Sequence, residues 1–456
     1  MSHRFSLYSN FLFFVLATAS CSSGKKVTET KSAPKKTAPA AAKKPAPPAK
    51  KESTASKAVP VKPQAPARKE PVQVVEIRKG SDDPFFENLF KSNPGKFDKI
   101  ISDRNSLNIQ IIFTEVSRKK NGTIELTDHY FNKEGVSYYY PASAIKLPLA
   151  LLALQKLNEL SAKGITRNTT MVIQKAFSGQ TDVFNDPNTA TGKPTIEQYI
   201  KRAMLVNDND ACNRLYEFLG QEYINTELKK KGYGDAEILH RVGINMTEDE
   251  NRHTNEIRFY DNSNNLLYTQ GALYNRQPYS KRNDASGKGY MSGGRVVNSP
   301  MDMSKKNRIA LEDLHRMLIS LQYPDAAKAG TAFNITESDR QFLLNLAGQF
   351  PSESQYPFYD NEYDNGYTKY LLFGGEETTM KSVRSYNTSG IAYGQITDAA
   401  IIKDSVRNVE FILSATIYCN ADGIINDDKY DYSSTGLPFM RDLGKALYDY
   451  DLKRKK

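Results

Sequence analysis

Apolar positions along the 456-residue chain change their pattern several times. A short apolar run over residues 11–19 follows Arg4. It is too short to cross a bilayer, which takes roughly 20 residues. Over residues 25–79, Ala, Lys and Pro recur with no fixed period and no aromatic residue. Helical spacing then begins: Phe86, Leu89, Phe90, Phe97 and Ile100 share a face across residues 83–102, and Pro94-Gly95 predicts a break. Residues 107–115 are Ile-rich and read as a strand, Asn121-Gly122 as a turn, and residues 123–132 as a second strand. Residues 144–160 form an apolar helical run. The pattern stays mostly helical to about residue 231, turns polar and loop-rich over 245–299, and returns to helix over 308–321. Strand-like runs follow at 383–389, 395–403 and 408–419, then a helix at 437–451. This order predicts an α/β domain in which both chain ends build one sheet and a middle part, about residues 145–330, is all-helical. There is no internal repeat.

Composition divides the chain more sharply than length does. Residues 22–80 hold 15 Lys+Arg, four Glu and nine of the 21 Pro. With Arg4, residues 1–80 carry +12 of a chain total of +10, so residues 81–456 are near −2. The basic balance belongs to the tail, not to a folded face, and nucleic acid is not an expected partner. Such a tail cannot bury enough surface to offset its ordering entropy, so it predicts a disordered spacer. Fully extended as polyproline II, at about 3.1 Å per residue, it would reach on the order of 180 Å. Five scattered His and three Cys form neither a zinc framework nor a disulfide scaffold. Cys212 and Cys419 sit in apolar surroundings and read as small buried hydrophobes. No cofactor and no metal is expected: the chain has no phosphate-binding Gly-rich loop and no ligand cluster.

The N-terminus reads as a secretory signal. Its end, Leu16-Ala17-Thr18-Ala19-Ser20-Cys21, resembles a bacterial lipobox. The resemblance implies lipidation at Cys21 and an exported, membrane-anchored lipoprotein of the bacterial cell envelope. The domains expected are a lipoprotein signal peptide at 1–21, a linker at 22–80 and a folded domain at 81–456.

One segment carries candidate chemistry. Tyr139-Tyr140-Pro141-Ala142-Ser143-Ala144-Ile145-Lys146 leads into Leu147-Pro148-Leu149-Ala150-Leu151-Leu152. Lys146 lies three residues after Ser143, on the same helix face. A Ser at a buried helix start has N–H donors and positive dipole beside its oxygen. A Lys in apolar surroundings has its charged form disfavoured and can take a hydroxyl proton. Taken locally, Ser143 could equally cap the helix while Lys146 reaches outward to water.

In context, residues 139–160 resemble the active-site helix of the class A β-lactamase and penicillin-binding-protein superfamily, and the element order over 83–452 matches that fold. The resemblance implies a mainly antiparallel five-stranded sheet flanked by helices, with Ser143 as acylated nucleophile and Lys146 as proton acceptor. The family's Ser-Asp-Asn motif stands here as Asn207-Asp208-Asn209. Asn209 would bind the substrate amide. Asn207 occupies the catalytic Ser position but cannot relay a proton as a hydroxyl does. Read locally, Asp208 or Asn209 caps a helix. The Lys-Thr/Ser-Gly motif stands as Thr388-Ser389-Gly390, or begins at Asn387 on a one-residue shift, and neither alignment supplies a cation. Arg384 or Lys381 are candidates to replace it. The deacylating Glu-x-x-Leu-Asn loop is missing between Arg214 and Ser299, where Glu248, Glu250 and Glu256 stand. The expectation is therefore a β-lactamase-like serine hydrolase of the cell envelope with altered or weak β-lactam hydrolysis. Its partners would be a membrane through the lipid anchor, a β-lactam, peptide or ester substrate, and peptidoglycan. The alternative is a non-catalytic module of the same fold that binds cell-envelope polymer.

Overall fold

Both ends of the chain contribute strands to one sheet, and the middle supplies the helices that carry the candidate residues. The structure, a computed structural model, describes residues 72–74 (as backbone), 84–120, 122–132, 138–359, 361–378 and 380–454. Cys21 and the expected spacer, residues 72–74 excepted, lie outside the described residues.

The chain order begins with β1 (Val72–Val74), α1 (Pro84–Lys91), α2 (Asp98–Ser102), β2 (Gln110–Arg118) and β3 (Ile124–Phe131). The middle follows: α3 (Lys146–Glu159), β4 (Thr170–Gln174), α4 (Ile196–Val206), α5 (Asn209–Leu219), α6 (Gln221–Lys230) and α7 (Glu248–Arg252). Next come β5 (Glu256–Tyr260), β6 (Leu266–Gln270), β7 (Ala285–Ser286), β8 (Gly289–Ser292), β9 (Arg295–Val297) and β10 (Met301–Asp302). Helices α8 (Leu311–Gln322) and α9 (Glu337–Gly348) lead to β11 (Val383–Ala392), β12 (Gln395–Asp404), β13 (Val409–Tyr418), β14 (Ile424–Ile425) and α10 (Leu437–Lys453).

The main sheet has the order β1-β3-β2-β13-β12-β11. Five of its strands are antiparallel, as the family resemblance implied. The sixth, β1, pairs parallel to β3 inside the stretch read as spacer. Its Val-Gln-Val alternation sets it apart from the Lys/Ala/Pro run before it.

Strands β12 and β13 are buried along nearly their whole length because helices cover both faces. Phe86, Phe90, Phe411, Met440 and Leu447 fill one face under α1 and α10. Ile401, Ile412, Leu149, Leu215 and Leu314 fill the other, between the sheet and the helical middle. Helix α3 lies in that second core and is apolar almost all round, as a central helix must be. Cys212 and Cys419 are buried and unpaired as thiols.

The middle, expected to be all-helical over about residues 145–330, differs at 170–174, where β4 forms, and over 245–299. Here β5 pairs with β4 and β6, and β8 pairs with β9 and β14. Strand β5 alternates half-buried Glu256, Arg258 and Tyr260 with fully buried Ile257 and Phe259. A strand so short with charges on one face gives a weak period-two signal and passes for a polar loop. Helix α9 was also unforeseen; Thr336 caps it by accepting from the Asp339 N–H.

Candidate active site

Ser143 sits in a single 3₁₀ turn, Ala142–Ile145, that feeds directly into α3. The residue before it, Ala142, has φ 47°, a left-handed backbone that costs an alanine energy and persists only where the surroundings enforce it. Those surroundings are visible. A Cβ on Gly390 of β11 would stand 2.3 Å from the Pro141 carbonyl oxygen and 2.7 Å from the Ser143 nitrogen. Only glycine allows the strand to approach the nucleophile this closely. Strand β11 is the sheet edge, so its cleft-side N–H groups are not consumed by a neighbouring strand there.

Lys146, one turn on, is 1% exposed. Its Nζ lies 2.8 Å from Ser143 Oγ, 3.0 Å from Asn209 Oδ1, and within hydrogen-bond distance of the Asn207 carbonyl. Burial pushes its pKa down to about 8, against the raising influence of Cys212 and Asp208. The three partners suit both protonation states. A neutral amine has two N–H donors for the two carbonyl-type oxygens and a lone pair for the serine hydroxyl; an ammonium donates to all three.

The second motif divides its duties between neighbours. Asp208 caps α5 through the Ala211 N–H at 2.9 Å and pairs with Arg202. Asn209, freed from capping, turns to Lys146. Asn207 ends α4 at φ 56° and reaches Lys146 with its backbone carbonyl rather than its amide side chain. Sequence reasoning missed what holds Asn209. Gly243, at φ 68°, lies so close that a Cβ there would be 2.5 Å from Asn209 Nδ2. Asn213 clamps that segment to α5 by exchanging two hydrogen bonds with Val242.

The third motif is turned inward. Thr388 Oγ1 donates to the Ala144 carbonyl at 3.2 Å, and Ser389 Oγ to the Thr368 carbonyl at 2.5 Å. Both residues are buried, and the seam between them and Ala203, Met204 and Asn207 has no room for a water molecule. Neither candidate cation fills the place of the family's lysine. Arg384 pairs with Glu353 and lies 4.3 Å from the Phe350 ring centroid, and Lys381 is exposed at the strand start. The cation beside this strand is one the sequence reading passed over, Lys369, buried with its Nζ on Asn387 Oδ1. A lone lysine inside the aromatic-rich run Tyr367-Thr368-Lys369-Tyr370-Leu371 was the available signal.

The three acidic candidates for deacylation are occupied elsewhere. Glu248 pairs with Arg252 and Lys305, Glu250 closes the capping box of α7, and Glu256 pairs with Arg258.

A buried aromatic cluster packs against the residues that lead into the Ser143 turn. Tyr393, at φ 52° in the Tyr393-Gly394 hairpin turn, packs edge-on to Tyr140 at 5.0 Å, and His240 stacks on Tyr140 at 5.9 Å. Burial pushes the His240 ring down to about 4, so it is neutral at physiological pH.

The family model described as "Beta-lactamase enzyme family" matches residues 96–450. Among solved structures, the chain is similar to a variant of the class A β-lactamase of the last common ancestor of Gram-negative bacteria. That match has 13% identity, covers 81% of this chain and 100% of the other, and has a TM-score of 0.44. The chromosome-encoded β-lactamase of Vibrio parahaemolyticus matches at 12% identity, over 78% of this chain and 98% of its own, with a TM-score of 0.42. A mutant PBP-A in an acyl-enzyme complex with penicillin G matches at 13% identity, over 80% and 96%, with a TM-score of 0.42. No curated protein matches.

Proposed function

The chain belongs to the β-lactamase enzyme family, and from that premise we propose that it is a serine acyl-hydrolase acting on esters or uncharged amides. One observation carries this reading: the buried Lys146 amine lies 2.8 Å from Ser143 Oγ, with its other two partners both hydrogen-bond acceptors. Ser143 Oγ attacks the acyl carbon while its proton passes to Lys146 Nζ. The positive helix start and the edge of β11 face the developing oxyanion. The ammonium of Lys146 then returns the proton to the leaving alcohol oxygen, and the acyl group stays on Ser143. Neutral again, the same amine accepts the proton of the attacking water and passes it to Ser143 Oγ as the acyl–oxygen bond breaks, and the acid product departs.

Substrate choice follows from the shut seam. A substrate carboxylate would need a cation and free hydroxyls at the third motif, yet Thr388 and Ser389 donate inward and the space admits no water. A penicillin acylates Ser143 slowly, because Asn207 offers no hydroxyl relay to the leaving nitrogen, and the adduct then leaves slowly, because the candidate glutamates are engaged in ion pairs or a cap. The N-terminal pattern supports a place at the cell envelope, with Cys21 lipidated and residues 22–71 as spacer. A Cys21→Ser chain that still takes up a clickable palmitate would contradict that anchor.

The test of function compares a neutral aryl ester with benzylpenicillin. Ester turnover, lost in Ser143→Ala, with penicillin turnover far slower, is the expected result. Faster turnover of penicillin than of any neutral ester would overturn the proposed preference.

A further inference from the structure

The strand beside the nucleophile spends its own cation, Arg384, on Glu353, and a second, buried cation holds the strand. Lys369 is 2% exposed, and its Nζ donates to the carbonyls of Ala347 at 2.8 Å and Ser385 at 2.7 Å, and to Asn387 Oδ1 at 3.0 Å. Those acceptors belong to the end of α9 and to β11. The other end of the Asn387 amide donates to Asp398 Oδ1 at 2.9 Å and to the Thr368 carbonyl at 2.7 Å. Asp398, fully buried on β12, takes two more hydrogen bonds from the Tyr370 and Leu371 N–H groups.

We propose that Lys369 is a positioning residue for Ser143: its ammonium fixes β11, and β11 fixes the nucleophile. The inference rests on Ser143 being the nucleophile. The amide dipole of Asn387 lies between a cation and a carboxylate, with its oxygen toward Lys369 and its NH₂ toward Asp398, so only one rotamer satisfies both. That link sets the strand's register and height three residues before Gly390. Gly390 in turn abuts Ser143, and Thr388 Oγ1 holds the Ala144 carbonyl. The segment carrying Lys369 is itself rigid: Leu372 is fully packed at φ 76°, and a Cβ on Gly444 of α10 would stand 2.3 Å from the Leu372 nitrogen. Burial disfavours both charges, pushing Lys369 down and Asp398 up, each to about 7. Buried opposite charges contribute little net stability, and replacing both by neutral groups is often tolerated. A positioning role and a stabilising role can therefore be separated.

The experiment measures Ser143 labelling by a fluorophosphonate, and thermal melting, on the full chain. The variants are Lys369→Met, Lys369→Met with Asp398→Asn, and Asn387→Ala. Lys369→Met should melt well below wild type, because it strands the Asp398 carboxylate. The double variant should recover only the part of that loss due to the unpaired charge, since the Ala347 and Ser385 carbonyls stay without their donor, and it should label at least tenfold more slowly. The deficit should fall in the maximal labelling rate and leave the half-saturating reagent concentration unchanged. A double variant that melts and labels like wild type overturns the proposal and makes the pair a matter of charge balance alone. If the double variant does not fold, Asn387→Ala decides, since it cuts the link and keeps both charges; labelling at the wild-type rate there overturns the proposal. A wild-type chain that does not label at all removes Ser143 as nucleophile, and the inference with it.

Discussion

At the scale of single residues, Lys146 carries the chemistry because its surroundings satisfy it with or without its proton. A base must change charge during turnover, and a site that fits only one state resists the change. The active form here is the neutral amine, and burial brings its pKa to about 8. Labelling of Ser143 should therefore rise about tenfold per pH unit on the acid side and level off above about pH 8. A rate that is flat between about pH 5 and pH 10 would remove Lys146 as base. Gly390 makes the complementary residue-scale prediction. Its missing Cβ leaves the gap through which β11 meets the Ser143 turn. Gly390→Ala should cost about 1–3 kcal/mol in a melting experiment, as overpacking does, and should abolish labelling.

At the scale of elements, a Ser three residues ahead of a Lys on an apolar helix made Ser143 and Lys146 candidates, and the resemblance of residues 139–160 with the order of elements decided for them over a helix cap and an outward lysine. The arrangement of the second motif was legible in part. That either Asp208 or Asn209 would cap a helix could be read; that Asp208 caps while Asn209 turns to Lys146 needed coordinates. Gly243 and Asn213 were not legible, because what they hold lies about 30 residues away in sequence. The same holds for Lys369, whose partners include one helix carbonyl and one strand carbonyl that carry no sequence signature. The division of labour in the second motif can be tested. Asp208→Ala removes the cap of α5 and the partner of Arg202. It should cost about 1 kcal/mol in thermal melting. It should also slow labelling, since Asn209 starts the same helix and contacts Lys146. Unchanged labelling would show that Asn209 is held without its helix cap.

At the scale of the molecule, the shared sheet and its flanking helices follow from long, strongly patterned runs at both chain ends, and these were legible, whereas the strand order was not. The small sheets of the middle were not, because strands of two to five residues with one charged face resemble loops. The sheet, α3 and α5 bring Ser143, Lys146 and Asn209 together from segments more than 60 residues apart. The same framework closes the third-motif seam by laying Thr368 over Asn387 and Ser389. An activated serine without a carboxylate subsite is the central claim. Its most direct test is the intact mass of the full chain after incubation with a fluorophosphonate and, separately, with benzylpenicillin, using Ser143→Ala as control. The account predicts one fluorophosphonate adduct on wild type, none on Ser143→Ala, and little or slow penicillin adduct. No adduct with either reagent would contradict it.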